Sequence, residues 1–293
     1  MLEPVEPSLR RPPLLALPAM GWFMWFLLIP LGFVVVYSLS TKGLYGGVVY
    51  HFTFENYQRA TDWIYLRIFW SSVKLATLTA FSCLVIGYPM AYVMATASLR
   101  VRSALLVLVV IPFWTNFVVR AYAIKLLFGE AGPINEFALA FGLIHEPIVF
   151  ANSDLSVWVG MVTNYLPFMV LPLYVALEKF DFSLLEAAKD LGAPGWKILL
   201  KVLIPMTKPG IITGTIFVFT PALGEFVIPD LLGGAKTMLM GNLITDQFVK
   251  TRDWPFGSAL SMLMILVVTA SLGVYLKISA TENAPVDATT VED

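Results

Sequence analysis

The sequence has little charge. Only 13% of its 293 residues are Asp, Glu, Lys or Arg, against roughly 25% in a typical soluble domain, whereas 58% are hydrophobic. These proportions exclude a soluble globular domain, and the high hydrophobicity excludes a disordered chain. Most of the chain must therefore lie in lipid.

The chain also lacks the residue types from which common catalytic and metal sites are built. It has one cysteine, Cys83, in an apolar stretch, and two isolated histidines, His51 and His145. Neither a disulfide nor a cysteine metal site can form within such a chain. The H-E-x-x-H, G-x-S-x-G and G-x-x-x-x-G-K-[ST] motifs are absent, and a net charge of −1 leaves no basic surface for nucleic acid. We predict no catalytic residue, no metal site and no nucleic-acid partner.

Long apolar stretches predict where the chain crosses the membrane, because a span needs about 20 apolar residues to cross roughly 30 Å of hydrocarbon. The predicted spans are 14–39, 70–98, 103–128, 155–177, 209–231 and 257–279. The third span contains Arg120 and Lys125, and the fifth contains Glu225 and Asp230. These two spans therefore place charge at or near membrane depth.

The distribution of Lys and Arg predicts the orientation, since cytoplasmic loops carry an excess of these residues. With the N-terminus inside, ten lie in cytoplasmic segments and six in external segments. The cytoplasmic residues are Arg10, Arg11, Arg100, Arg102, Lys179, Lys189, Lys197, Lys201, Lys208 and Lys277, and the external residues are Lys42, Arg59, Arg67, Lys236, Lys250 and Arg252. We predict that the tails 1–13 and 281–293 are both cytoplasmic and flank a transmembrane domain of residues 14–280.

The cytoplasmic loop 178–208 is predicted to form a helical elbow. Ser183 and Glu186 have the spacing of a capping box, in which each side chain accepts from the other residue's amide. Gly192 is the expected left-handed residue at the end of this first helix. A second helix is expected to begin at Pro194, which suits the first helical position, and to be interrupted by the next proline.

The elbow resembles the EAA motif of ABC importer permeases. Glu186-Ala187-Ala188 is followed by Gly192 six positions after the Glu and by Pro205 thirteen positions after the Gly. In that family the elbow is the coupling helix, which docks on a cytoplasmic ATPase subunit. The resemblance implies this coupling role for the five residues, with small side chains at 187 and 188 allowing close approach. The alternative is that Glu186 only caps an ordinary amphipathic helix.

Further segments are similar to the permeases of spermidine/putrescine importers. They are residues 112–122, 132–137, 166–174, 224–234 and 252–257. The resemblance implies an all-α, polytopic membrane protein with six transmembrane helices in the type I ABC importer permease fold, located in the bacterial inner membrane. Related permeases for opines, ferric iron and sulfate share parts of this pattern, so another substrate such as an opine is an alternative.

The same resemblance implies an assembly. The chain would work with a second permease as a heterodimer, with two cytoplasmic ATPase subunits and with an extracytoplasmic substrate-binding protein, surrounded by membrane lipid. ATP and Mg would bind to the partner subunits, and no cofactor is expected in this chain, in agreement with the lack of a phosphate loop. The competing class is an ion-gradient-driven secondary transporter. It would use Glu225 as a proton or cation site and would need neither ATPase partners nor the elbow.

Polar and aromatic residues in the spans are candidates for the substrate path, because an intramembrane charge is costly and marks a functional site by default. The candidates are Glu225, Asp230, Trp114, Asn116, Tyr122, Asn164 and Tyr165. The carboxylates would attract a polyammonium substrate, and the aromatic rings would add cation–π contacts. The alternatives are ion pairs of the two acids with Arg120 or Lys125, and packing or interfacial roles for the aromatic residues.

Two smaller patterns complete the sequence analysis. The segment 133–141, between two glycines, predicts a short external amphipathic helix that receives the binding protein or lies on the bilayer. Gly210 and Gly214 form a small-xxx-small face that either packs against a partner helix or gives flexibility.

Overall fold

The computed structural model describes residues 17–148, 150, 152–234 and 237–282, so the N-terminal tail and nearly all of the C-terminal tail lie outside the described residues. The helices are α1 (Leu17–Ser38), α2 (Glu55–Ala60), α3 (Trp63–Thr96), α4 (Leu99–Trp114), α5 (Phe117–Leu127), α6 (Pro133–Ala140), α7 (Asp154–Glu178), α8 (Ser183–Asp190), α9 (Gly195–Ile198), α10 (Ile204–Met206), α11 (Lys208–Leu223), α12 (Val227–Leu232), α13 (Met240–Val249) and α14 (Trp254–Glu282). A π-helix, Leu199–Leu203, joins α9 to α10, and the strands β1 (Thr41–Lys42) and β2 (Val48–Val49) form an antiparallel hairpin.

Four helices, α1, α3, α7 and α14, are each long and apolar enough to cross a membrane. Two bent arrangements pass the same test: α4 with α5, at 94°, and the α9–α10 segment with α11, at 72°. The described part of the chain therefore contains four spans, or up to six if each bent pair is one span. The predicted span 209–231 is not a single helix, because α11 ends at Leu223 and α12 begins at Val227.

The predicted span 103–128 bends between α4 and α5. Pro112 lacks an amide donor and weakens the last turn of α4. The backbone is then extended at Thr115, and the Asn116 side chain accepts a hydrogen bond of 2.8 Å from the amide of Val118. Asn116 is thus the N-cap of a new helix, which accounts for a polar residue at this position.

The centre of the bundle is formed by α3, α7 and α11. Glycines bring α11 close to α7: a Cβ atom on Gly210 would lie 2.4 Å from the Cβ of Ala176, and one on Gly214 would lie 2.7 Å from the Sδ of Met169. Val218, one turn further along α11, is fully buried. The small-residue face of α11 therefore packs against a helix of the same chain.

Helix α1 lies at the periphery and packs on α14. Most of its side chains are apolar and exposed, and burial is confined to Ser38 at its end. A helix that is apolar on all sides needs an apolar environment on all sides. Its surroundings are therefore apolar, as expected for a helix that crosses a membrane.

The N-terminal end of α14 is fixed by the buried Asp253. Its Oδ2 accepts a hydrogen bond of 2.8 Å from Arg59, and its Oδ1 accepts one of 3.2 Å from the amide of Phe256. The Arg59 guanidinium also lies 3.9 Å from the centre of the Phe256 ring. Burial lowers the pKa of Arg59. The hydrogen bond to Asp253 and the contacts with Tyr65 together have a larger opposite effect, so the pKa of Arg59 is raised. Lys42, 3.9 Å from Asp253, ties the hairpin to the same point.

Candidate functional site

The elbow between α7 and α11 consists of α8, α9, the π-helix and α10. Gly192 has φ of +76°, the left-handed conformation that the sequence predicts, and it ends α8. The amide of Gly192 donates to the carbonyl of Lys189 at 2.8 Å, and the amide of Ala193 donates to that of Ala188 at 3.1 Å. This is a Schellman motif, which satisfies the last carbonyls of α8 and turns the chain into α9.

The predicted capping box does not form. Helix α8 begins at Ser183, so this residue lies in the first turn and not at the N-cap, where the box requires it. The amide of Ser183 donates instead to Oδ1 of Asp181 at 3.0 Å. Hydrogen bonds from the Ser183 side chain and amide lower the pKa of Asp181. Glu186 is therefore not needed as a cap, and it lies exposed in the first turn of α8.

The two prolines of the elbow act differently from the prediction. Pro194 is the N-cap of α9 and not its first residue. Pro205 does not interrupt the second helix, which continues to Met206 before the bend at Thr207. The π-helix Leu199–Leu203 lies just before Pro205, and its wider turn accommodates a proline ring and a missing amide donor.

The exposed side of the elbow includes four of the five expected coupling residues, among them Gly192 and Pro205. Glu186 and Ala187 are exposed, whereas Ala188 is half-buried against the bundle and Leu185 is buried. Large apolar side chains are also exposed around them: Leu184, Leu191, Trp196 and Leu200. This apolar surface, together with Glu186 and Ala187, is what a partner would meet at the elbow.

The elbow is attached to α3 at both ends. Near its start, the ring of Phe182 packs 6.1 Å from the ring of Tyr92. At its end, the hydroxyls of Tyr88 and Thr207 are 2.9 Å apart, and Thr207 also donates to the carbonyl of Leu203 at 2.8 Å. A displacement of the elbow is therefore transmitted to α3 as well as to α11.

A charged contact at the base of the elbow was missed by the sequence analysis. Arg102 donates to Oε1 of Glu178 at 2.9 Å and to the carbonyl of Ala95 at 2.9 Å. Tyr174 donates to the same Glu178 oxygen at 2.6 Å. These bonds join the start of α4 to the end of α3 and to the end of α7. The i, i+4 spacing of Tyr174 and Glu178, at the end of a predicted helix, could have predicted the bond between these two side chains.

Glu225 lies in the turn between α11 and α12. Its Oε1 accepts from the amides of Phe226, Val227 and Ile228 at 3.0, 2.9 and 3.4 Å. Its Oε2 accepts from the Tyr165 hydroxyl at 2.5 Å. A carboxylate is stabilised at a helix N-terminus by the free amides and the helix dipole. Glu225 therefore caps α12 and ties it to α7.

The ion pairs considered for the fifth span are not found. Within the described ranges, neither Glu225 nor Asp230 pairs with Arg120 or Lys125. Asp230 is exposed on α12. The carboxylate of Glu225 is compensated by backbone amides and by the Tyr165 hydroxyl instead of by a cation. This arrangement depends on the tight turn after α11, which the spacing of charges in the sequence does not predict.

The remaining path candidates are dispersed. The structure brings Tyr165 to Glu225, and Asn164, its neighbour in sequence, is half-buried. Trp114, which is 86% exposed, and Tyr122, which is 50% exposed, lie on the surface of α4 and α5. The seven candidates therefore do not form a single site in this chain.

A cavity of about 840 Å³ lies between α4, α7 and α11, and none of the predicted path residues lines it. Its walls include the rings of Phe113, Phe168 and Phe217, and the first two stack edge-to-face with ring centres 4.9 Å apart. Lys179 and Asp181, at the start of the elbow, line its charged end. The sequence did not predict this cavity, because aromatic residues at helical spacing in an apolar sequence can equally line a cavity or pack in the core.

Helix α6 forms between Gly132 and Gly142, where the sequence predicts a helix. The buried side chain of Asn135 donates to the carbonyls of Gly129 and Ile148, both at 2.9 Å, and accepts from the amide of Ile148 at 3.0 Å. This amide side chain fixes α6 against the loop that follows it. Within the described residues, no group of three His, Cys, Asp or Glu side chains is placed to hold a metal ion.

Residues 84–281 match the family described as "Binding-protein-dependent transport system inner membrane component". The chain is 41% identical over 267 residues to the spermidine/putrescine transport system permease protein PotB of Escherichia coli K12, covering 91% of this chain and 97% of that protein. Identity to PotB of Haemophilus influenzae is 40%, covering 91% and 93%. The inner membrane ABC transporter permease protein YdcU of Escherichia coli is 28% identical over 281 residues, covering 89% and 88%.

The fold is also similar to a chain in the crystal structure of a bacterial alginate ABC transporter in complex with an alginate pentasaccharide-bound periplasmic protein. The TM-score is 0.70, covering 90% of this chain and 92% of that chain. A second structure, of a bacterial ABC transporter involved in the import of alginate, gives 0.68. The sequence identity is 17% in both comparisons, so they establish similarity of fold alone.

Proposed function

Because the chain belongs to the family of binding-protein-dependent transport system inner membrane components, we propose that it forms part of the polyamine path of an ATP-binding-cassette importer. It is a multi-pass inner-membrane protein and a transport subunit, not an enzyme. The observation that carries the substrate assignment is its identity of 40–41% to spermidine/putrescine permeases along 91% of its length.

We propose that the transmembrane domain, residues 14–280, crosses the membrane six times with both termini in the cytoplasm. The third span is then the bent pair α4–α5, and the fifth is α11 extended by α12. The excess of Lys and Arg on one side supports this orientation. It places the elbow, residues 178–208, in the cytoplasm and α6 outside.

The proposed partners are those of a binding-protein-dependent importer. The chain pairs with a second permease, two ATPase subunits that bind ATP and Mg, and an extracytoplasmic binding protein. The exposed Glu186 and Ala187, surrounded by apolar side chains, are suited to dock on an ATPase subunit, with Ala188, Gly192 and Pro205 shaping the elbow. Closure of the ATPases moves the elbow, and the contacts to α3 and α11 carry that movement into the bundle, giving alternating access.

The substrate path is proposed to follow α7 and α11. The rings of Phe113, Phe168 and Phe217 face a cavity whose far end includes Asp181. A polyammonium ion gains roughly 0.5 to 2 kcal/mol from each ring it passes. At the elbow end of the cavity Asp181 attracts the ion and the neighbouring Lys179 opposes it, so the rings carry the proposed path. Glu225 shapes the path by holding α12 on Tyr165.

Competition for uptake tests the substrate assignment. Cells that express the chain with its partner subunits should take up labelled spermidine, and unlabelled putrescine should compete. An opine, sulfate and ferric iron should not compete. Uptake that an opine suppresses and putrescine does not would replace the substrate and keep the importer.

A further inference from the structure

Two cavities lie between α3 and α7 and share the side chain of Trp158. The outer cavity, about 630 Å³, is lined by Arg67, Ser71, Lys74, Leu78, Asp154, Trp158 and Thr237, among others. The inner cavity, about 470 Å³, is lined by Ile86, Met90, Val109, Trp158 and Val162, among others. Together they form the α3–α7 groove, which lies on a different face of α7 from the cavity that holds Phe168.

The groove changes from charged to apolar along its length. Arg67, Lys74 and Leu78 follow one stripe of α3 in the outer cavity, and Ile86 and Met90, further along α3, line the inner cavity. Lys74 directly precedes the uncharged stretch 75–99. At 1.5 Å per residue, Arg67 stands about 10 Å outside Lys74 and Ile86 about 18 Å inside it. In the proposed orientation, Lys74 therefore lies near the external boundary of the hydrocarbon, at the start of the predicted span 70–98, and the inner cavity lies deeper in the hydrocarbon.

The outer part of the groove has a surplus of positive charge. Arg67 and Lys74 are exposed, and neither forms an ion pair with a residue that the structure describes. The one acid in the lining, Asp154, accepts a hydrogen bond from the hydroxyl of Thr237. The Nε1 of Trp158 is buried and has no hydrogen-bond partner among the described residues.

We propose that the α3–α7 groove binds an anionic phospholipid of the outer leaflet. Its phosphate lies between Arg67 and Lys74, where charge-assisted hydrogen bonds form. One acyl chain extends past Leu78 into the apolar part beside Ile86 and Val162. The same charges repel a polyammonium ion, so the groove is a lipid site and not a second substrate path.

Retention of phosphatidylglycerol by the purified transporter tests this inference. The full chain, purified with its partner subunits, is exposed to phosphatidylglycerol or phosphatidylcholine, and bound lipid is counted by native mass spectrometry. Wild type should retain phosphatidylglycerol preferentially. Arg67→Gln and Lys74→Gln should each weaken retention about tenfold, the cost of losing one charged hydrogen bond, whereas Lys74→Arg should preserve it.

Lys250→Gln is the matched control, because Lys250 is an external cation paired with Asp246 and outside the groove. It should retain phosphatidylglycerol as wild type does. Equal retention by an Arg67→Gln, Lys74→Gln double variant would overturn the proposal. Equal binding of inorganic phosphate alone would also overturn it, because that result assigns the site to a free anion. Loss of subunit assembly in the variants, with no change in bound lipid, would overturn it too, because that result assigns the groove to a protein contact.

Discussion

At the scale of single residues, Glu225 has a structural role that its charge does not suggest. One carboxylate oxygen accepts from three successive amides, and the other accepts from Tyr165. A charge near membrane depth is stable only when it is compensated, and here a helix N-terminus supplies the compensation. The residue therefore determines where α11 ends and how α12 packs on α7.

Replacing Glu225 by Ala should lower stability by about 2 kcal/mol, since the free amides of α12 lose an ionised acceptor. Glu225→Gln keeps a neutral acceptor for these amides and should lose less. Tyr165→Phe removes one hydrogen bond to the carboxylate and should lower stability by about as much as Glu225→Gln does. Thermal unfolding of the purified transporter measures all three. An Ala variant with wild-type stability and no polyamine uptake would show instead that Glu225 binds the substrate directly.

At the scale of helices, glycine spacing determines how closely α11 packs on α7. A Cβ at position 210 would lie 2.4 Å from Ala176, well inside van der Waals contact, and it would be 3.0 Å from a carbonyl oxygen of α7. Overpacking of this kind costs about 1 to 3 kcal/mol. The contact is also the wall of the proposed path, so stability and transport depend on the same spacing.

Gly210→Ala should therefore lower the thermal unfolding temperature and reduce uptake. Gly224→Ala is the control, because a Cβ there has no neighbour within 4 Å and the backbone has negative φ. Its effect should be small. Equal destabilisation by both substitutions would mean that the helix contact at Gly210 is looser than the structure indicates.

The elbow is the element whose surface is proposed to face the ATPase. Glu186→Lys reverses one exposed charge without removing a capping bond, because Asp181 holds the first turn of α8. We expect normal folding, continued ATP hydrolysis by the assembly and at least tenfold less uptake, on the order of 1.4 kcal/mol of lost coupling. Uptake and hydrolysis measured on the same proteoliposomes test this, with Lys189→Gln as a control on the same helix. Unchanged uptake by Glu186→Lys would remove the coupling role from this residue.

Sequence patterns predicted the elements better than the contacts between them. The left-handed Gly192 and the external helix α6 follow from local rules that need no partner residues. The capping box at Ser183 fails because helix starts vary by a residue, and one residue removes the geometry. Pro205 was expected to interrupt the second elbow helix, but the wider turn of the preceding π-helix accommodates the proline ring. The Glu225 cap and the Arg102–Glu178 contact depend on residues that are distant in sequence, which a single sequence does not pair.

At the scale of the whole molecule, three packed helices connect the elbow to the opposite end of the bundle. Helix α3 contacts the elbow through Tyr88 at one end, and Ser72, toward its other end, accepts a hydrogen bond of 2.8 Å from the amide of Met240 in α13. Helix α11 joins the end of the elbow to the Glu225 turn. A movement applied at Glu186 therefore has a continuous packed route to the far end of the bundle, which the proposed alternating access requires.

Uptake of labelled spermidine into proteoliposomes, with and without enclosed ATP, tests this account most directly. The vesicles hold the chain with its second permease, its ATPase subunits and the binding protein. We expect uptake that requires ATP and the binding protein and that does not respond to an imposed ion gradient. Uptake driven by an ion gradient in the absence of ATP would contradict it.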